Sequence, residues 1–168
     1  SEPDAGSDVG GYRSSAKYDE ATDEWVLNGE KIYVTDGERS DTLVVWATLD
    51  KSLGKAAIKS FIVEKGTPGC EVTRLEHKMG IRASDTAAIT FADCRIPKDN
   101  ILGSAEIATD AEGRKKAFGG VMQTFDNTRP PVAAMAIGVA RAALDLTESL
   151  LAAEGIALNF DRRPGNLS

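Results

Sequence analysis

The chain opens with SEPDAGSDVGG and soon reaches NGEKIYVTDG, two stretches whose residue types suit a bulky polar ligand. In the first, Ala5, Gly6 and Ser7 leave backbone N–H groups unobstructed, and Ser1 and Ser7 add hydroxyls. Such a loop can cradle pyrophosphate or bind carbonyl and amide groups through its backbone, although most stretches of this composition are simply turns. It has neither a Gly-Lys-Ser/Thr ending nor G-x-G-x-x-G, so the standard nucleotide fingerprints are absent. In KIYVTDG, Tyr33 and Thr35 fall on one face of a strand by the period-two rule. A plane and a hydroxyl placed there suit a planar heterocycle, or form an ordinary pair on a sheet surface. In FDNTRP, Asp126 and Arg129 are three apart and share a helical face, where an ion pair or a helix cap is their simplest use. His77 is the one histidine, and no Cys-x-x-Cys occurs, so no metal-ligand pattern is present.

The elements that would carry these residues change character along the chain. Up to about residue 108 the pattern is β. EWVLNGEKIYVTDG has two short apolar runs around Asn28-Gly29, a dipeptide suited to a tight hairpin. DTLVVWATLD reads as a strand buried on both faces. KSFIVEKGTPGCEVTRLE supplies two strands about a Gly-Thr-Pro-Gly turn, and TAAITFADCRIPKDNILG alternates through Ile89, Phe91 and Ile96 before ending at a proline. Short strands at this spacing predict an antiparallel sandwich or barrel. Beyond that, EGRKKAFGGVMQTF suits a short helix, and a second helix is expected from Asp126, capped by Asp126 or Thr128, with Gly155 as its stop. Its alanine-rich face needs packing partners that this chain barely supplies. The fold class expected is α+β, with a β domain over 1–108 and the first helices of an α-helical bundle domain over 109–168.

Composition sets outer limits. The chain has 168 residues, 42% hydrophobic and 27% charged, as in an ordinary globular protein. A net charge of −6 argues against a nucleic-acid binder, which needs a basic face. No apolar run approaches the ~18 residues of a membrane span. Cys70 and Cys94 read as small buried hydrophobes in a reducing compartment. The chain begins inside a loop and stops at RRPGNLS without a clear end, as expected of an excerpt from a longer protein.

Taken in order, SEPDAGSDVGG, VLNGEKIYVTDG, FIVEKGTPG, HKMGIRASDTAAITFADCRIPKDNILG and FDNTRPPVAAMAIGVARAALD closely resemble the acyl-CoA dehydrogenase family of flavoproteins. The resemblance extends to about Glu154 and implies FAD as cofactor. It places Ser1, Glu2, Pro3, Ala5, Gly6 and Ser7 in the flavin and substrate loop, with serine at position 1 where the family usually has threonine. Tyr33, Val34 and Thr35 match a segment that lies against the isoalloxazine ring, with tyrosine in place of the usual tryptophan. Ser7, Asp126 and Arg129 match positions that contact acyl-CoA, while Arg82, Ser84 and Thr86 would mainly support the sheet.

The implied reaction is α,β-dehydrogenation of an acyl-CoA thioester. A glutamate removes the α-proton and the β-hydride goes to flavin N5. The resemblance assigns no catalytic base to this chain. Thr128 occupies the position where one branch carries the glutamate, so the base is expected downstream of Ser168, and this excerpt alone is expected to be inactive. The same resemblance implies electron transfer flavoprotein as acceptor and a homo- or heterotetramer, while charge and hydropathy lead to the expectation of no nucleic-acid partner and no membrane span. It implies the cytoplasm in a bacterium or the mitochondrial matrix in a eukaryote. Two other readings stay open: a non-catalytic flavin- or CoA-binding subunit of a heteromeric dehydrogenase, and a flavin monooxygenase or oxidase on the same fold.

Overall fold

Two long strands, β2 (Glu24–Thr35) and β6 (Thr86–Pro97), form the spine of the molecule in the computed structural model. The structure describes residues 1–108 and 110–156, with the side chains of 111 and 114–125 outside that description. The other strands are β1 (Ser15–Asp19), β3 (Thr42–Thr48), β4 (Ile58–Glu64), β5 (Cys70–Leu75) and β7 (Ile101–Leu102). They form one seven-stranded sheet in the order β5-β6-β2-β1-β3-β4-β7. Pairing is antiparallel throughout, apart from one parallel pair between β1 and β3 at Ser15 and Thr48. One helix, α1 (Ala111–Ala153), follows. The chain separates into two compact units, Ser1–Phe118 and a second beginning at Gly119. The α+β class stands: a sheet-dominated domain followed by a helix.

The sheet curls so that its two halves share one core. Trp25 and Leu27 of β2 and Ile89, Phe91, Cys94 and Ile96 of β6 cluster with Val45 of β3 and Phe61 and Val63 of β4. The Trp25 and Phe61 rings meet edge to face with centroids 5.3 Å apart, a favoured aromatic geometry. Apolar burial of this kind, at roughly 25 cal/mol per Å², is what holds the curl closed.

Three local expectations are corrected. Asn28-Gly29 makes no hairpin: β2 runs straight through it, paired to β6 with a register shift between Leu27 and Gly29. The turn signal is absorbed into a bulge. The Asn28 amide donates to Asp93 Oδ1 at 3.1 Å, its Oδ1 accepts the Asp93 N–H at 2.9 Å, and Gly29 adopts φ 147°. Second, β3 is not buried on both faces, because Thr42 and Val44 face solvent. Third, no helix begins at Asp126. A single α1 passes through Pro130 and Pro131, and Asp110 caps its start by accepting the Gly113 N–H. Asp126 and Thr128 carry cap chemistry, but the preceding residues are already helical, so no free N-terminus exists there. The prolines do remove the donors that the Asp126 and Asn127 carbonyls would otherwise receive.

Gly155 does end the helical segment. At φ 73° its N–H reaches the Ala152 carbonyl, and the Ile156 N–H reaches Leu151, the paired closure of a Schellman cap. The apolar side chains Val132, Met135, Ile137, Val139, Leu146 and Leu150 of α1 are all exposed. Among the described residues no helix is long and apolar enough to cross a membrane.

Two outcomes follow. A Cβ at Gly29 would lie 2.6 Å from Ser14 Cα and 2.4 Å from Ser14 Oγ, on a backbone that L-residues rarely adopt. Gly29→Ala should therefore lower the unfolding free energy by more than about 2 kcal/mol, read by urea denaturation of the β unit's signal. Cys70 and Cys94 are both free thiols. Burial, followed by the nearby Cys70, pushes the Cys94 thiol up to about 11. At pH 8 it stays protonated, so alkylation in the native state should be more than about tenfold slower than in urea, measured by peptide mass spectrometry.

Candidate functional site

The first seven residues fold into a tight loop rather than an extended tail. Glu2 and Ala5 exchange backbone hydrogen bonds of 2.7 and 3.2 Å, which closes the turn around Pro3 and Asp4. Ala5 is buried, while Ser1, Gly6 and Ser7 are exposed. The Ser1 carbonyl accepts the Ile32 N–H at 3.0 Å. This bond holds the loop against β2 one residue before Tyr33.

Beneath the loop lies a buried charge pair. Glu2 and Lys31 are 5% and 7% exposed, and Lys31 Nζ lies 2.6 Å from Glu2 Oε1. Glu2 Oε2 also accepts the Arg13 N–H at 2.6 Å and the Ser14 N–H at 3.3 Å. The Tyr12 ring covers the ammonium at 4.3 Å, a cation–π distance. Burial alone would push the Glu2 carboxyl up. The hydrogen bonds from Lys31, Arg13 and Ser14, with the Lys31 charge, overcome it and hold the carboxyl below its ordinary value. Glu2 is therefore an ionised carboxylate facing inward. Removing one member of such a pair strands the other charge, at about 3–5 kcal/mol.

The next segment is set by a second irregularity in β2. Its register with β6 slips between Lys31 and Val34, and Tyr33 takes the left-handed φ of 57°. The result sends Val34 toward the core while Tyr33 and Thr35 face solvent, Tyr33 being 63% exposed. Just beyond, the chain is pinned by Asp85. The Asp85 carbonyl accepts the Asp36 N–H and its carboxylate the Glu38 N–H, both at 3.0 Å, and Arg39 Nε lies 3.3 Å from Oδ1. Ser84 Oγ donates to Asp36 Oδ1 at 3.3 Å, and Thr86 pairs with Thr35. Arg82 is exposed.

The fold thus ties the start of the Ser1–Ser7 loop to Lys31-Ile32, immediately before Tyr33–Thr35. Within the described residues, no hydrogen bond uses the N–H groups of Gly6 and Ser7, or the hydroxyls of Ser1, Ser7, Tyr33 and Thr35. Tyr33 adds an exposed aromatic face, and the loop has room at Gly6, where a Cβ would meet only Ser1 Oγ at 3.8 Å. That donor set fits a flavin: a plane for the ring, hydroxyls for its polar edge and free N–H groups for phosphate. Asp126 and Arg129 lie on α1 in the second unit, joined at 3.3 Å with both side chains about 70% exposed. No group of His, Cys, Asp and Glu suited to a metal occurs among the described residues.

Lys31, Tyr12 and Asp85 were not singled out from the sequence. No local signal marks Lys31; only the β2–β6 register, which sets it opposite Ile89, shows an inward position that demands a buried counter-charge.

Comparison with known proteins gives the arrangement a context. Residues 1–94 match the family model for the acyl-CoA dehydrogenase middle domain. The chain is 42% identical over 146 residues to acryloyl-CoA reductase (NADH) of Anaerotignum propionicum, covering 87% of this chain and 35% of that protein. It is 41% identical over 145 residues to the mitochondrial short-chain specific acyl-CoA dehydrogenase of Rattus norvegicus, covering 86% of this chain and 32% of that protein. Among solved structures, butyryl-CoA dehydrogenase from Megasphaera elsdenii superposes with a TM-score of 0.76 at 36% identity, over 96% of this chain and 39% of that one. The chain thus spans about a third of the length of the relatives it matches. With its middle-domain match, this sheet and these relatives, it belongs to the acyl-CoA dehydrogenase family.

Proposed function

We propose that the protein carrying this chain catalyses FAD-dependent α,β-dehydrogenation of an acyl-CoA thioester. The observation that carries this reading is the set of unused donors on Ser1, Gly6, Ser7, Tyr33 and Thr35, gathered on two segments that the Ser1–Ile32 hydrogen bond ties together. In this reading Ser1, Glu2, Pro3, Ala5, Gly6 and Ser7 form the flavin loop, and Tyr33, Val34 and Thr35 the wall beside the ring. Ser7, Asp126 and Arg129 hold the CoA portion of the substrate. Residues 1–108 act as the middle domain and 109–168 as the opening of the helical domain.

When bound, the flavin supplies a two-electron acceptor for the hydride that leaves the acyl β-carbon. The chain's own residues do the positioning. The Gly6 and Ser7 N–H groups present the positive ends of backbone dipoles to anionic oxygens. Thr35 offers a hydroxyl on the same exposed side as the Tyr33 face. Arg129 offers a charged donor to phosphate, oriented by Asp126. The α-proton goes to a glutamate outside residues 1–168, whose carboxylate needs a desolvated setting to be basic enough.

The acyl group is short by analogy with the relatives' names, and electron transfer flavoprotein is the acceptor in a tetrameric assembly. Acryloyl-CoA reductase (NADH), at 42% identity, gives reason to test the reverse direction as well. Reduction of an enoyl-CoA involves the same bonds run backwards.

The test uses the full-length protein, mixed anaerobically with a panel of acyl-CoA thioesters, while the oxidised flavin band near ~450 nm is followed. Loss of the band with short-chain thioesters is the expected result. A protein that holds flavin and responds neither to any acyl-CoA, nor in reduced form to any enoyl-CoA, is instead the non-catalytic subunit. Reduction that reverses rapidly in air identifies an oxidase. Two substitutions probe the assigned roles. Tyr33→Ala should weaken flavin binding about tenfold, the worth of ~1.4 kcal/mol of ring contact, by fluorescence titration of the apoprotein. Arg129→Ala should raise KM for acyl-CoA at least about tenfold with kcat nearly unchanged, since it removes a charged contact common to ground and transition states.

A further inference from the structure

We propose that Glu2 is a positioning residue rather than a flavin contact, and that its buried pair with Lys31, beneath the Tyr12 ring, sets the register between the Ser1–Ser7 loop and the Tyr33 bulge. The inference deepens the reading above, and its bearing on flavin rests on that reading. Its structural half does not.

Four observations carry it. The Glu2 side chain is almost wholly enclosed, whereas Ser1, Gly6 and Ser7 of the same loop are exposed. Its two oxygens engage the side chain of Lys31 and the backbone N–H groups of Arg13 and Ser14, so one carboxylate joins three separate segments. Lys31 is the residue immediately before Ile32, whose N–H holds the Ser1 carbonyl. Ser1 in turn is the residue immediately before Glu2. The pair and this backbone bond therefore form a short closed circuit linking Ser1-Glu2 to Lys31-Ile32, and Tyr33 is the next residue out. The β2–β6 ladder does not hold this point, because its register slips between Lys31 and Val34.

An apolar pair of similar volume could fill the same space. It would not define distance and direction as a two-oxygen carboxylate with a lysine does. The expected signature is therefore a separation between overall stability and local register.

The experiment compares full-length wild type with Glu2→Gln and with the double variant Glu2→Gln/Lys31→Met. It reads melting temperature, amide exchange at Ile32 and at Phe61, and flavin affinity of the apoprotein. Phe61 lies in the core of β4 and reports general unfolding. The single variant should lose melting temperature, and the double should recover most of it because no buried charge is stranded. In the double variant exchange at Ile32 should still be at least about tenfold faster than in wild type, with Phe61 unchanged, and the flavin dissociation constant should rise at least about tenfold. Wild-type Ile32 protection and flavin affinity in the stable double variant would overturn the proposal. If the double variant does not fold, Tyr12→Leu removes the ring over the ammonium without stranding a charge. It should speed exchange at Ile32 more than at Phe61, and an equal effect at both overturns the register role. Failure of the wild type to bind flavin would sink the flavin reading alone, since Ile32 exchange decides the register question without it.

Discussion

The Glu2–Lys31 ion pair is the constraint around which the exposed site is arranged. A carboxylate and an ammonium are expensive to bury, and they persist only when each finds a full set of partners. Here Glu2 takes three donors and Lys31 takes a carboxylate and an aromatic face. Those requirements fix where Arg13 and Ser14 enter β1, where the loop returns from Ala5, and how closely Ser1 approaches Ile32. The Ser14 position then matters a second time, because Gly29 has room for no side chain against it. One buried pair thus sets the path of the loop, the start of β1 and the middle of β2.

Both irregularities of β2 serve the same strand in different ways. At Asn28-Gly29 the bulge is stabilised by side-chain bonds to Asp93 across the sheet, which is itself at a left-handed φ of 48°. This keeps the paired Leu27 and Cys94 before the slip, and Phe91 opposite Gly29 beyond it, all facing the core. At Ile32-Tyr33 the slip has no such side-chain stitch. It is held instead by the loop on one side and by Asp85 on the other. A bulge re-aims side chains as it bends a strand, and here it turns an aromatic ring outward next to a loop rich in unused donors.

Features written in short-range chemistry were legible in the sequence. The Ile89–Phe91 alternation in β6 and its end at Pro97, the two strands around Gly66–Gly69, the change to helix after residue 108 and the stop at Gly155 all follow from local rules. The ordered motifs also marked the family. What escaped was decided by partners distant along the chain. Asn28-Gly29 has turn chemistry, but pairing with β6, some 65 residues on, absorbs it. Asp126 and Thr128 have cap chemistry, but Asp110 had already started the helix. Tyr33 and Thr35 do share a face, as counting in twos predicts, but that this face is the exposed one is set by the slip after the inward-facing Lys31. Glu2 drew notice as part of a loop motif, and nothing local identifies Lys31, 29 residues later, as its partner.

The backbone of Tyr33 ties these points to function. A bulky aromatic at φ 57° is a true outlier, and such strain costs about 1–3 kcal/mol. It survives only where neighbouring contacts over-determine it. Those contacts are present on both sides, in the Ser1 carbonyl bonded to Ile32 and the Asp85 carbonyl bonded to Asp36. No core packing rewards the conformation, since the ring it displays is mostly in solvent. The strained backbone therefore turns the ring outward without burying it. In the reading proposed above, Tyr33 and Ser1 would supply the site with a flat face and a hydroxyl.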